Sequence, residues 1–147
     1  MQITIYEVID GDFLISSNKE KLNVDVIHDF LRTSYWSEGI GRETVEKSIN
    51  GAVCYGLYHF KEQIGFARVI TDGVNLGYIA DVFVLESYQG RGLGQFLMRT
   101  ILKDPSLQGI RKWMLATHTA TTFYEKFGFV VLPNPRDYME YKPQNTI

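Results

Sequence analysis

The sequence predicts an α+β fold in which about four helices flank a central mixed, mostly antiparallel sheet. Three observations predict it. Between residues 52 and 85, three apolar runs follow one another across short polar turns, the spacing of antiparallel neighbours. From residue 93 the apolar period lengthens to four, as in a helix buried on one face. Strand and helix patterns then alternate toward the end of the chain, which makes the sheet mixed.

Taken in order, Ile3 to Ile9 is apolar and β-branched with polar interruptions, and reads as a strand. Asp10-Gly11-Asp12 is a turn signal, and Phe13 to Ser16 reads as a short second strand. Asn23 can cap a helix carrying Val26, Ile27, Phe30 and Leu31 on one face, ending around Ser34-Tyr35-Trp36. A shorter helix follows Gly41, with Val45 and Ile49 one turn apart. Ala52 to Phe60, Gln63 to Thr71 and Leu76 to Leu85 are the three central strands, separated by Lys61-Glu62 and by a turn at Asp72-Gly73. Leu93, Phe96, Leu97 and Ile101 mark the next helix, which Asp104-Pro105 ends. Arg111 to Thr117 reads as a strand, Thr119 to Phe127 as a short helix closed by Gly128, and Phe129 to Leu132 and Tyr138 to Tyr141 as last strands.

Composition bounds the function. The chain has 147 residues, enough for one domain with a real core, and no repeat or linker divides it; residues 1–147 are expected to form a single domain. Hydrophobic residues make up 45% and charged residues 22%, so the chain is globular rather than disordered. A net charge of -2 gives no general pull toward nucleic acid or anionic membrane, so neither is an expected partner. The aromatic residues are not interleaved with basic ones, which also argues against nucleic acid. No apolar stretch approaches the ~20 residues of a membrane span, and no secretory pattern is expected at the start. The one cysteine, Cys54, suits a reducing compartment, so a cytoplasmic setting is the default. Cys54 and the scattered His28, His59 and His118 offer no metal-ligand spacing, and no metal is expected.

The most informative segment runs from the strand Asp81-Val82-Phe83-Val84 through Gln89-Gly90-Arg91-Gly92-Leu93-Gly94 into the helix. The first turn of a helix leaves its amides unpaired and carries the positive end of the dipole. Glycines let phosphate oxygens approach those amides, and Arg91 adds a charge. A P-loop needs Lys-Ser or Lys-Thr after its last glycine, but Gly94 is followed by Gln95 and Phe96. A dinucleotide fingerprint needs its third glycine one residue later. Neither nucleotide motif fits.

What does fit is the GNAT superfamily of N-acetyltransferases, which the sequence resembles. Gln89-Gly90-Arg91-Gly92-Leu93-Gly94 matches that family's Gln/Arg-x-x-Gly-x-Gly/Ala signature for coenzyme A. Ala80 to Val84 looks like its central strand, and Thr122 to Phe129 like its second hallmark, a helix leading to Gly-Phe. The resemblance covers nearly the whole chain. It departs at Glu86, where many relatives have proline.

The resemblance implies acetyl-coenzyme A as cosubstrate, bound by Gln89, Gly90, Arg91, Gly92, Leu93, Gly94 and Gln95. The backbone at Phe83 and Val84 would lie along the pantetheine arm, on a central strand that splays from its neighbour. Tyr124 matches the family's general-acid tyrosine, and a phenol holds its proton at neutral pH. Asp81 is the candidate general base, since a carboxylate in an apolar strand becomes a better proton acceptor when buried; the plain alternative is a carboxylate that orders a loop or binds substrate. Arg32, Tyr35, Trp36 and His118 are the candidate acceptor-side residues. In relatives the region after the first helix folds over the acceptor, although loop packing explains these aromatics as well. Arg68 can reach either the pocket or solvent. Cys54 reads as buried filler rather than a nucleophile.

The expected activity is direct transfer of acetyl from acetyl-coenzyme A to a primary amine of a small molecule or amino acid, with no covalent enzyme intermediate. A non-catalytic coenzyme A sensor and a thioesterase remain as alternatives. The late strands of this family often mediate dimers, so the resemblance admits a homodimer.

Overall fold

The computed structural model describes residues 4–143. Six strands form one sheet in sequence order: β1 (Glu7–Asp10), β2 (Phe13–Ser16), β3 (Val53–His59), β4 (Glu62–Thr71), β5 (Gly77–Val84) and β6 (Trp113–Leu115). Every neighbouring pair is antiparallel except β5 and β6, which are parallel, so the sheet is mixed as expected. The helices are α1 (Val24–Leu31), α2 (Arg42–Asn50), α3 (Leu93–Lys103) and α4 (Thr121–Glu125). Contacts divide the chain into a larger unit that ends at Leu115, holding the sheet and α1 to α3, and a smaller unit that begins at Ala116.

Local chemistry sets the boundaries. Gly11 takes φ +59° in the β1–β2 turn, a conformation glycine adopts without a steric penalty. Asn23 caps α1, its side-chain oxygen accepting from the Asp25 and Val26 amides. The helix stops at Leu31, earlier than its apolar pattern suggests. The Thr33 and Ser34 hydroxyls donate to the Phe30 and Leu31 carbonyls and thereby consume acceptors that a further turn needs. In the β4–β5 turn, the Asp72 carboxylate accepts from the Val74 and Asn75 amides, which hold its pKa far below the ordinary carboxylate value.

β3 is buried from Val53 through Tyr58, because both faces of the sheet are covered there. On one face Ile27, Leu31, Val45 and Ile49 of α1 and α2 pack against Cys54, Phe66 and Phe83. Strand alternation turns Tyr55 to the opposite face. There its hydroxyl donates to Asp104 Oδ2 at 2.6 Å, at the C-terminal end of α3. Burial and that carboxylate push the Tyr55 hydroxyl well above its ordinary pKa. α3 buries Leu93, Phe96, Leu97, Met98 and Ile101, the stripe its four-residue period predicts.

Several expected elements are shorter or absent. Ile3 lies outside the described residues, and β1 begins only at Glu7. The strand expected over Arg111 to Thr117 is reduced to Trp113–Leu115, because its pairing with β5 ends at Ile79 opposite Leu115. The strands expected at 129–132 and 138–141 do not form. Both segments are non-regular, with a short 3-10 turn at Pro135–Asp137 between them. Pro133, Pro135 and Pro143 flank the two segments and would interrupt any ladder that extended past them, and Val130, Val131, Met139 and Tyr141 are exposed. β-propensity yields a strand only where the backbone finds a partner. α4 occupies the middle of its expected span, and Gly128 follows at φ +95°.

Candidate functional site

The chain leaves β5 at Val84, makes a 3-10 turn over Glu86–Tyr88, and enters α3 through Gly90, Arg91 and Gly92. Gly90 and Gly92 have φ of +81° and +76°, so two left-handed residues in three turn the chain sharply. Gly92 is the N-cap and offers no side-chain acceptor. The first intrahelical bond runs from the Phe96 amide to the Gly92 carbonyl. The amides of Leu93, Gly94 and Gln95 therefore have no helical partner and face the positive end of the dipole. Gln89 braces the turn, its Nε2 donating to the Val84 carbonyl at 2.9 Å. The Arg91 guanidinium lies 5.1 Å from the Tyr88 ring centroid, a cation–π contact that holds the charge beside the turn. An open cleft of about 450 Å³ adjoins it, lined by Arg91, Gly92, Gln95, Arg99 and the β1–β2 turn. This arrangement can hold a di-anionic group.

β5 presents an unpaired stretch next to that turn. It pairs with β4 as far as Val84, but with β6 only from Gly77 to Ile79. From Ala80 to Val84 its second edge carries no ladder among the described residues. The Phe83 side chain turns into the core, stacked on Phe30 with centroids 4.1 Å apart. The role proposed for this residue is therefore left to its backbone.

At Asp81 the strand is irregular. The register passes from Phe66 opposite Phe83 to Arg68 opposite Ala80, so Asp81 and Val82 together face Ala67. This is a bulge, and Asp81 sits in it at φ +56°. A non-glycine residue there carries strain that the surrounding fold must sustain. The Asp81 carboxylate is held by two donors: Arg68 Nε meets Oδ2 at 2.7 Å, and Trp36 Nε1 meets Oδ1 at 2.9 Å. Side-chain exposure is 17% for Arg68 and 8% for Asp81, so the ion pair is largely shielded from water.

The α1–α2 loop carries the other candidates of this unit. Its backbone is pinned by Gly39 N–H to the Arg32 carbonyl and by His28 Nε2 against the Ile40 carbonyl at 3.0 Å. Tyr35 and Trp36 meet edge to face at 5.2 Å, and Trp36 lies 6.2 Å from Phe30. The rings of Tyr35, Trp36, Phe30 and Phe83 thus form a continuous series from the surface to β5. Arg32 points elsewhere, its Nε paired with Asp29 at 3.2 Å.

His118 and Tyr124 belong to the smaller unit. His118 is exposed, just before α4. Tyr124 is half-buried on α4, with its ring 5.0 Å from Phe123 and 6.0 Å from Phe129. Phe123 meets Phe127 at 5.4 Å, as their one-turn spacing predicts. Cys54 is buried, and burial pushes its thiol up to about 11, so it stays protonated at neutral pH. Among the described residues no His, Cys, Asp or Glu cluster has the makings of a metal site, and no helix is long and apolar enough to cross a membrane.

Two features were not legible beforehand. The Trp36–Asp81 bond joins residues 45 positions apart, and the Arg68–Asp81 pair depends on the bulge. The one available signal was an aspartate and an arginine on adjacent strands, in otherwise apolar runs.

Comparison with known proteins agrees with this geometry. Residues 50–131 match the family model described as the acetyltransferase (GNAT) domain. A protein of Gibberella zeae described as an acetyltransferase is 30% identical, over 73% of this chain and 72% of its own length. A GCN5-related N-acetyltransferase, chloroplastic, of Arabidopsis thaliana is 28% identical, over 88% of this chain and 70% of its own. Among solved structures, a GNAT-family protein of Xanthomonas campestris superposes with TM-score 0.86 at 33% identity, covering 89% of this chain and 93% of its own. A GNAT-family acetyltransferase of Elizabethkingia anophelis, solved with acetyl-CoA bound, shares the fold at TM-score 0.66 and 18% identity, over 92% of this chain and 91% of its own. With the glycine turn, the free helix amides and the open strand edge already in hand, these matches lead to one conclusion: the chain belongs to the GNAT family of acetyltransferases and is an acyltransferase.

Proposed function

We propose that the enzyme transfers an acetyl group from acetyl-coenzyme A directly to a primary amine of a small molecule or amino acid. The observation that carries this reading is the set of unpaired amides at Leu93, Gly94 and Gln95, lying beside the unpaired Ala80–Val84 edge of β5. Amides at a helix start suit a pyrophosphate, and an open strand edge suits the amide groups of a pantetheine arm. The acetyl-CoA bound by the Elizabethkingia relative supports the same cosubstrate.

Gln89 to Gln95 would hold the pyrophosphate, with Arg91 supplying charge, while the backbone at Phe83 and Val84 pairs with the pantetheine arm. Acetyl-coenzyme A supplies the activated thioester. Asp81 meets the acceptor's nitrogen and takes its proton, directly or through water, so that the nitrogen lone pair can form the new amide bond. Tyr124 protonates the departing sulfur as the carbon–sulfur bond breaks, and the second proton that the nitrogen sheds on becoming an amide restores the phenol. Tyr35 and Trp36 cover the acceptor, with Arg32 and His118 at the periphery of its site. Cys54 is a buried thiol held in its protonated form, which supports transfer without an acyl-enzyme. In this reading residues 1–147 act as one catalytic domain in a reducing, cytoplasmic setting.

The test is calorimetric titration with acetyl-coenzyme A, followed by thiol release across a panel of primary amines. Binding with amine-dependent release supports the transferase. Release without amine indicates a thioesterase, binding without any release indicates a sensor, and absence of binding rejects the proposal.

A further inference from the structure

Resting on the reading of Asp81 as the residue that meets the acceptor's nitrogen, we propose that Trp36 occupies, in the free enzyme, the place on Asp81 that the amine takes. The acceptor enters by displacing the indole, and it is a primary amine that arrives as its ammonium.

Asp81 has two oxygens and two donors, and the donors are not equivalent. Arg68 lies within β4, opposite Ala80, and its bond to Oδ2 is 2.7 Å long. Trp36 sits on a loop outside any helix or strand, is 42% exposed, and bonds Oδ1 at 2.9 Å. The exchangeable donor is therefore Trp36, on the solvent side of the pair. The loop ends on either side of it are held independently, through Gly39 to Arg32 and Ile40 to His28, so the indole can leave without unfolding the loop.

The direction of the exchange follows from the donors. An indole N–H is a single neutral donor, whereas an ammonium offers three donors and a charge of its own, so it adds an ion pair to the hydrogen bond on a carboxylate that is largely shielded from water. The Tyr35 ring already stands beside Trp36, edge to face at 5.2 Å, so an aromatic side chain that can attract a cation lies next to the place the amine would take. The strained bulge fits the same reading. A regular strand would not place Asp81 at φ +56°, and such strain is characteristic of residues held for a ligand.

The experiment uses Trp113→Phe protein, in which Trp36 is the only indole of the two the chain contains. Titration with n-butylammonium chloride should change Trp36 emission saturably. n-Butanol should not, and neither should the amine in an added Asp81→Asn background. In parallel, calorimetry should show Trp36→Phe binding n-butylammonium about tenfold to a hundredfold more tightly than the parent, the worth of one hydrogen bond to a charged group removed from competition. A merely structural Trp36 predicts weaker binding on substitution. Unchanged emission, an equal response in the Asp81→Asn background, or weaker binding by Trp36→Phe would each overturn the proposal. Failure of the transferase reading shows separately, as absence of acetyl-coenzyme A binding.

Discussion

Gly92 allows backbone strain and anion exclusion to be separated. It caps α3 at φ +76°, and a Cβ added there would meet nothing within 4 Å. Alanine therefore brings strain and no clash. A left-handed non-glycine residue costs about 1–2 kcal/mol. For a chain of this size, each kcal/mol lowers Tm by about 2–4 °C. Gly92→Ala should thus melt about 2–8 °C below the parent, on the same two scales. Gly92→Glu carries the same strain, but its carboxylate beside the free amides returns about 0.3–1 kcal/mol through the helix dipole. It should be no less stable than the alanine variant. Binding should rank the two in the opposite sense. A carboxylate about 5 Å from one phosphate charge is repelled by about 3 kcal/mol at an effective dielectric near 20, and exposure and salt reduce this. The expectation is acetyl-coenzyme A affinity about tenfold to a hundredfold weaker for Gly92→Glu than for Gly92→Ala, a gap that narrows as salt rises. Scanning fluorimetry and calorimetry on the pair measure both quantities. Equal affinities for the two variants would falsify the placement of the pyrophosphate on α3.

Three further outcomes follow. Tyr55→Phe leaves the buried Asp104 carboxylate without one of its donors, and a hydrogen bond to a charged group is worth about 1.5–3 kcal/mol; thermal unfolding should show the loss, and an unchanged Tm would refute it. Tyr124→Phe should leave acetyl-coenzyme A affinity nearly intact and slow transfer by about tenfold to ten-thousandfold, the span for a general acid; stopped-flow thiol release measures it, and an unaltered rate removes the tyrosine from catalysis. Cys54 is raised from 9.0 to about 11 on folding, so its contribution to stability is full below pH 9 and is lost as pH rises toward 11. Denaturant titrations across that window should show an alkaline decline that begins near pH 9 and is steeper than in Cys54→Ala, where the raised tyrosines Tyr55 and Tyr58 contribute only from about pH 10, and native protein should resist thiol reagents.

How much was legible depended on the range of the interactions involved. The glycine turn, the Asn23 cap and the Gly128 stop are written in a few adjacent residues, because each is fixed by local backbone chemistry. The central strands and the α3 stripe were legible from period alone. The end of α1 was misplaced, because the Thr33 and Ser34 hydroxyls compete with the helix in a way apolar spacing does not register. Phe129 to Leu132 and Tyr138 to Tyr141 have strand composition but no ladder, and a partner strand cannot be read from a segment's own residues. Asp81 was identifiable as a polar intruder in an apolar run. Its two donors, the bulge that aims it and the inward turn of Phe83 depend on pairings that span up to tens of residues.

The Tyr55–Asp104 bond has a mechanical meaning for the glycine turn at the other end of α3. The helix has 11 residues, and at about 1.5 Å per residue it is a lever roughly 16 Å long. A tilt of about 5° at the Asp104 end would sweep the Leu93 amide through about 1.4 Å on that length, nearly three times the roughly 0.5 Å span of ordinary N–H···O distances. The clamp at the far end therefore governs the aim of the near one. Substitutions in the core around Asp104, remote from any ligand, belong among those expected to loosen the grip on a phosphate.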